Sequence, residues 1–379
     1  MRGMRLRLGL TIACVVIFSA CGGNMSTPTP PVTPACTATT PPPYAYVVSD
    51  LPADTISVFS ENSCTGALTS TSETLPTGYQ GRTVTVDPQG RFAYVTNIVS
   101  NASDQATISM FTVDSTTGTL TPTVPPTVPT GFYPQGTGID PAGKFVYTSN
   151  SDDNTVSMFA INQTNGVLTA TTPPTVASGM SPLSVTIHPS GKYAYVANQD
   201  DDTISMYNVN GTTGVLTPMT PFTVQTGTSP FGLTIDPSGK FAYVPNAYDD
   251  NNVVSQYTID PGTGALSPSA IPTAPSGMSP TYVAIDPTGK YAYVVNRGSI
   301  SVTMYKVDPN SGNLNPNPPG TIPGGLEPFV AVVDPTGKFL YVVDEGGAVW
   351  IYTINSDGTL TDQQPTPTNL SPLSIGVIR

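Results

Sequence analysis

The sequence predicts an all-β chain folded as a seven-bladed β-propeller with four-stranded antiparallel blades, and three observations predict it. A segment resembling D-P-x-G-K-x-x-Y-V-x-N recurs, with variations, six times at intervals of 53, 48, 48, 50 and 48 residues, ending at Asn97, Asn150, Asn198, Asn246, Asn296 and Asp344. Self-similarity at this period marks a propeller or a solenoid. The composition, with 41 Pro, 35 Gly and 10% charged residues among 379, favours strands and turns over helices. The repeat region also begins and ends on complementary fragments of one repeat. "YAYVVSD" from Tyr44 lacks the strand that precedes it in every other copy, and "SPLSIGVIR", Ser371 to Arg379, matches that missing strand and stops. The last strand is therefore expected to complete the first blade, closing the ring and removing its free edge.

Three segments follow in chain order. Residues 1–20 read as a lipoprotein signal: Arg2, Arg5 and Arg7 precede an apolar run, Leu8 to Ala20, too short to span a bilayer comfortably. "FSAC" then resembles the bacterial lipobox, which implies lipidation of Cys21; the alternative is an ordinary secretory signal. By the same resemblance, Gly22 in place of an aspartate implies an outer-membrane anchor, so a cell-envelope location is expected. Residues 21–43 form a linker with seven prolines and six threonines between Gly22 and Pro43. Extended at ~3.1 Å per residue, it reaches about 70 Å from the membrane. Residues 44–379 are the propeller. Cys14 leaves with the signal, so Cys36 and Cys64 remain in an oxidising compartment, as a disulfide or as two free thiols.

Each repeat decodes into four strands. "PLSVTI", Pro182 to Ile187, alternates as an inner strand; "HPSG" is a type I turn; "KYAYVAN" places Tyr193 and Tyr195 on one face and Ala194 and Val196 on the other. After an acidic loop, "TISMYNV" alternates again, "NGTTG" turns, and "VLTP" begins a fourth strand before a Pro/Thr connector. The sole histidine, His188, stands in the column where sister turns carry Asp87, Asp140, Asp236, Asp286 and Asp334. It is read as a turn residue accepting a backbone N–H, not as a catalyst.

Formal charge is −12, and cleavage of the signal removes three arginines and no acid, giving −15. That excludes nucleic acid as a partner and leaves the lipid anchor as the only membrane attachment. A monomer is expected. The loops after the second strands repeat an acidic theme: Asp152 and Asp153, Asp200, Asp201 and Asp202, Asp249 and Asp250. Such a ring suits Ca²⁺, which takes oxygen ligands flexibly. Without the glycine-punctuated spacing of a calcium loop, solvation and turn hydrogen bonds are the preferred reading, and no other cofactor is expected. Four charges fall near the mouth of the central channel: Arg82, Arg297, Glu327 and Glu345. They are candidates for orienting an anionic or hydroxylated ligand, with salt bridging between blades as the competing role.

The repeat, with a literal "YVTN" at Tyr94 to Asn97, resembles the seven-bladed lactonase family, which includes propeller-type 6-phosphogluconolactonases, fungal carboxymuconate-lactonizing enzymes and YVTN-repeat surface proteins. The resemblance spans Tyr44 onward. It implies an enzyme set of G-P-R-H at an inner strand and N-E ending the next strand. In the blade that matches best, Leu183 stands at the arginine's place, Ser184 at the histidine's and Gln199 at the glutamate's. No other blade restores the set. The expectation is a module that binds a protein, glycan or small molecule without the family's catalytic residues, with a lactone hydrolase as the alternative. A quinone-dependent dehydrogenase ranks third, since Trp350 is the only tryptophan.

Overall fold

In the computed structural model, residues 36, 37, 39, 41–49, 54–98, 105–247, 252–368 and 371–378 are described. The signal segment, Cys21 and most of the linker lie outside them, as do Asp249 and Asp250. Residues 1–37 and 38–379 separate as two units, and the second holds the propeller. Cys36 and Cys64 are each disulfide-bonded.

The described strands form seven sheets. Blade I is built from both ends of the chain, Pro372–Ile378 pairing antiparallel with Tyr44–Ser49, followed by Thr55–Glu61 and Leu68–Pro76. Blades II to VI follow in sequence with inner strands Gly81–Val86, Pro134–Ile139, Pro182–Ile187, Thr234–Ile235 and Pro280–Ile285. Blade VII starts at Pro328–Val333, and its outer strand is broken into Leu360–Asp362 and Thr366–Pro367. The circular closure expected from the two half-repeats is what forms.

One element differs from expectation. The segments read as Pro/Thr connectors are outer strand, as in Leu216–Gln225, which pairs with Thr203–Val209 across a register shift between Ser205 and Tyr207. Proline is tolerated there because an outermost strand has one edge without a partner, so a missing N–H on that edge breaks no ladder bond. The same prolines discourage pairing with another chain.

The blades are joined by a repeated latch. The tyrosine at the third position of each second strand, such as Tyr195, is almost fully buried and donates its hydroxyl hydrogen to a carbonyl in the next blade. The acceptor is always the glycine that closes the third-to-fourth-strand turn. Tyr46 reaches Gly118 at 3.0 Å, Tyr195 reaches Gly264 at 2.6 Å, and Tyr341 reaches Gly66 at 2.9 Å, which joins blade VII to blade I. The tyrosine-rich strands are thus wedges whose polar tips are satisfied across each interface.

The turn column holds too. Asp334 Oδ1 accepts the N–H groups of Lys338 and Phe339, both at 2.7 Å. His188 serves its turn differently: Nδ1 accepts the Ser190 N–H at 3.0 Å, and Nε2 lies 2.8 Å from the Gly239 carbonyl in the next blade. A carbonyl only accepts, so Nε2 carries the proton.

Glu61 breaks the pattern of its strand. Its column holds Val113, Ile161, Val209, Ile259, Val307 and Ile354 in the other blades. The side chain is buried, Oε2 has no hydrogen-bond partner, and burial together with nearby Asp334 pushes the carboxyl up to about 7, against the pull of Tyr341 and Lys338. The folded form therefore holds a proton that the unfolded chain releases near its ordinary 4.5. This contribution to stability is present at low pH and is lost as pH rises through about 7, at a cost of about 3 kcal/mol. Glu61→Val is expected to raise the urea midpoint at pH 8 and to change it little at pH 4. An equal shift at both values would contradict the assignment.

Candidate ligand site at the channel mouth

The inner strands line a central channel with a cavity of about 340 Å³. Neighbouring strands are stitched by threonines: Thr186 Oγ1 donates to the Leu233 carbonyl at 2.6 Å and Thr234 Oγ1 to the Val283 carbonyl at 2.6 Å. Blades III and IV approach so closely that a Cβ on Gly138 would lie 2.6 Å from the Val185 carbonyl oxygen. Only glycine fits there. In blade V the regular inner strand shrinks to two residues and a single bridge, Pro230 to Asn246.

One column of residues, Arg82, Gln135, Leu183, Phe231, Thr281, Phe329 and Leu373 in blade order II to VII, then I, runs around the mouth, and all but the buried Thr281 line the cavity. The arrangement has two sides. On one, Arg82 donates from NH2 to the Tyr133 hydroxyl at 3.2 Å and lies over the Tyr133 ring, while its buried Nε has no partner. No carboxylate lies within salt-bridge distance of Arg82 among the described residues. On the other, Phe231 and Phe329 meet edge-to-face at 5.3 Å across the small Thr281, and Arg297 covers the Phe329 ring at 5.4 Å.

Arg297, Glu345 and Glu327, singled out as charges near the mouth, engage chiefly one another. Arg297 lies 2.5 Å from Glu345 and 3.8 Å from Glu327, tying blade VI to blade VII. Arg82 stands apart from this group, in blade II. A mouth of this kind can hold an oxygen-bearing group on Arg82 and an apolar body on the phenyl rings. Ser184 Oγ is buried and unpartnered, and His188 lies at the opposite end of its blade. Tyr133, Phe231 and Phe329 were missed as site residues in the sequence. The mouth column is readable by counting back five residues from each turn aspartate, but the packing of its members is not.

The loop aspartates have a visible task. Asp153 Oδ2 accepts the Phe132 N–H at 2.7 Å, Asp201 Oδ2 the Met180 N–H at 2.6 Å and Asp202 Oδ1 the Ser229 N–H at 2.7 Å. Each clamps a loop that leads into an inner strand. Asp152 and Asp200 are exposed. Among the described residues no three His, Cys, Asp or Glu side chains group closely enough to hold a metal ion.

Seven antiparallel sheets around a central channel define a seven-bladed β-propeller. The chain belongs to the family described as lactonase, 7-bladed beta-propeller, which matches residues 38–229, 170–279 and 250–372. No curated protein matches it. Among solved structures it is similar to a putative 6-phosphogluconolactonase from Bacteroides fragilis, at 24% identity and a TM-score of 0.77, over 89% of this chain and 98% of that one. It is similar also to a putative 6-phosphogluconolactonase from Bacteroides uniformis, at 22% identity and a TM-score of 0.77, over 89% and 99%. A third likeness is to the periplasmic gluconolactonase of Pseudomonas aeruginosa, at 18% identity and a TM-score of 0.73, over 89% and 99%. At these identities the likeness speaks for the fold.

Proposed function

We propose that this member of the lactonase family is a lipid-anchored, extracytoplasmic binding propeller that takes a small ligand at the channel mouth without hydrolysing it. The ligand has an apolar body and one oxygen-bearing end that accepts from Arg82. The observation that carries this reading is the separation of the parts hydrolysis needs. A general base must come within about 3 Å of the water or hydroxyl it activates. The mouth column offers no histidine or carboxylate, Glu345 is engaged by Arg297, and the sole histidine donates to Gly239 at the other face. A net charge of −12 also disfavours phosphorylated substrates.

The competing reading is a lactone hydrolase, favoured by family membership and by the survival of Arg82, Glu327 and Glu345. Gluconolactone and 6-phosphogluconolactone are expected to hydrolyse no faster with the protein than without it. Saturable turnover that falls at least about 100-fold in Arg82→Ala or Glu345→Gln would establish the hydrolase instead. Phenylacetate, which joins a ring to a carboxylate, is expected to bind saturably and about tenfold more weakly to Arg82→Ala. Equal binding to both proteins would remove the mouth from the proposal. Incorporation of labelled palmitate in the bacterial host, lost in Cys21→Ser, checks the anchor.

A further inference from the structure

We propose that the face surrounding the channel mouth docks a cationic polypeptide segment through a ring of exposed apolar side chains. Antiparallel blades send the second-to-third-strand loops and the connections between blades to one face, and the other turns to the opposite face. Of the eight large apolar side chains exposed among the described residues, six stand on that one face: Tyr79, Phe132, Met180, Met278, Leu326 and Ile300. The first five occupy the same position in five different blade connections, at 39–68% exposure. A scatter of surface hydrophobes needs no explanation, but a ring repeated by blade symmetry marks an interaction surface.

The backbone beneath the ring is held by hydrogen bonds. The Phe132, Met180 and Leu326 N–H groups are accepted by Asp153, Asp201 and Asp344, and the Met278 N–H by Ser299. The residues after Tyr79, Phe132, Met180 and Met278 adopt left-handed φ of 46° to 52°. A backbone fixed in this way loses little freedom on binding.

Charge selects the partner. Six cations, Arg91, Lys144, Lys192, Lys240, Lys290 and Lys338, close the turns of the opposite face. On the ring face Arg82 lies within the channel wall and Arg297 is bound to Glu345. Exposed Asp152, Asp153, Asp200 and Glu327 stand among the apolar side chains. A surface that is apolar and anionic together fits a segment that alternates basic and aliphatic residues, and disfavours a second copy of itself or an anionic membrane. This inference stands apart from the small-ligand reading, because the ring lies outside the channel and Arg82 takes no part in it.

The test uses the full-length protein and a fluorescent dodecapeptide alternating Lys and Leu, with Lys/Ser and Glu/Leu peptides as comparisons. The Lys/Leu peptide is expected to bind, to bind more weakly as salt rises, and to lose about tenfold in affinity with Met180→Ser/Met278→Ser/Leu326→Ser. Val124→Ser/Ile271→Ser, on the outer strands, is expected to leave binding unchanged. The three ring substitutions made singly give the same direction should the triple variant fold poorly. Absence of binding, equal binding of Glu/Leu, or indifference to the ring substitutions would overturn the proposal. Binding to phosphatidylcholine vesicles that the ring substitutions abolish would assign the face to lipid, and a ring-dependent dimer in sedimentation would assign it to a second copy. Either result also overturns it.

Discussion

Removing residues 371–379 is expected to leave a chain with no cooperative unfolding transition. The strand Pro372–Ile378 supplies the inner strand of blade I, and its Leu373, Ile375 and Ile378 are buried at 6–7% exposure. Burial of such side chains contributes about 1.5–3 kcal/mol each, so three amount to about 5–9 kcal/mol, an upper estimate. A folded domain has only about 5–15 kcal/mol in total. The loss also uncovers one edge of Tyr44–Ser49 and removes the Ser374 hydroxyl that accepts the Val84 N–H at 3.3 Å. Urea titration followed by circular dichroism reads the result, and a synthetic peptide of the same nine residues is expected to restore the transition. A truncated protein melting within about 2 °C of the full chain would show that the ring does not depend on this closure.

Gly264→Ala is expected to lower stability by about 2–4 kcal/mol, although it adds one methyl group in a surface turn. Gly264 has φ +73°, and a Cβ there would lie 2.3 Å from the Tyr193 ring of the preceding blade. The ring must move, and with it goes the geometry that lets Tyr195 reach the Gly264 carbonyl at 2.6 Å. Tyr195→Phe removes only that hydrogen bond and is expected to cost about 1–2 kcal/mol, because it leaves a buried carbonyl without its partner. Gly211 lies in the corresponding turn of the preceding blade, between Thr203–Val209 and Leu216–Gln225, with nothing within 4 Å of its Cβ position. Gly211→Ala is expected to stay within about 0.5 kcal/mol of the unaltered protein. Equal urea midpoints for the two alanine variants would refute the latch between blades.

Much of this was legible in residues alone. The recurring turn with its aspartate, the paired tyrosines and the half-repeats at Tyr44 and Ser371 state the blade, its strand count and its closure, because each is a local pattern repeated in register. The structural role of His188 followed from its column. The latch was less visible: alternation says that Tyr195 points to one face, but not that a glycine 69 residues later offers its carbonyl there. The Pro/Thr segments were misread as connectors because proline weakens a strand signal everywhere except at an edge, and edge position is a tertiary property.

The candidate site shows the same division. Arg297, Glu327 and Glu345 were singled out as charges near a channel, and only folding showed that they answer one another while Arg82 has no acid within salt-bridge distance among the described residues. The acidic loops stand out in the sequence, yet the use of Asp153 and Asp201 as acceptors for N–H groups of the apolar ring depends on two loops meeting at a blade end. By itself the sequence determined the all-β class, the blade, the repeat number and the joining of the two chain ends, since strand period and turn chemistry act over a few residues. Tertiary structure alone decided how the side chains at the mouth pack, which charges are neutralised and which apolar groups stay uncovered. Those outcomes depend on distances between residues about 50 positions apart, which no local pattern encodes.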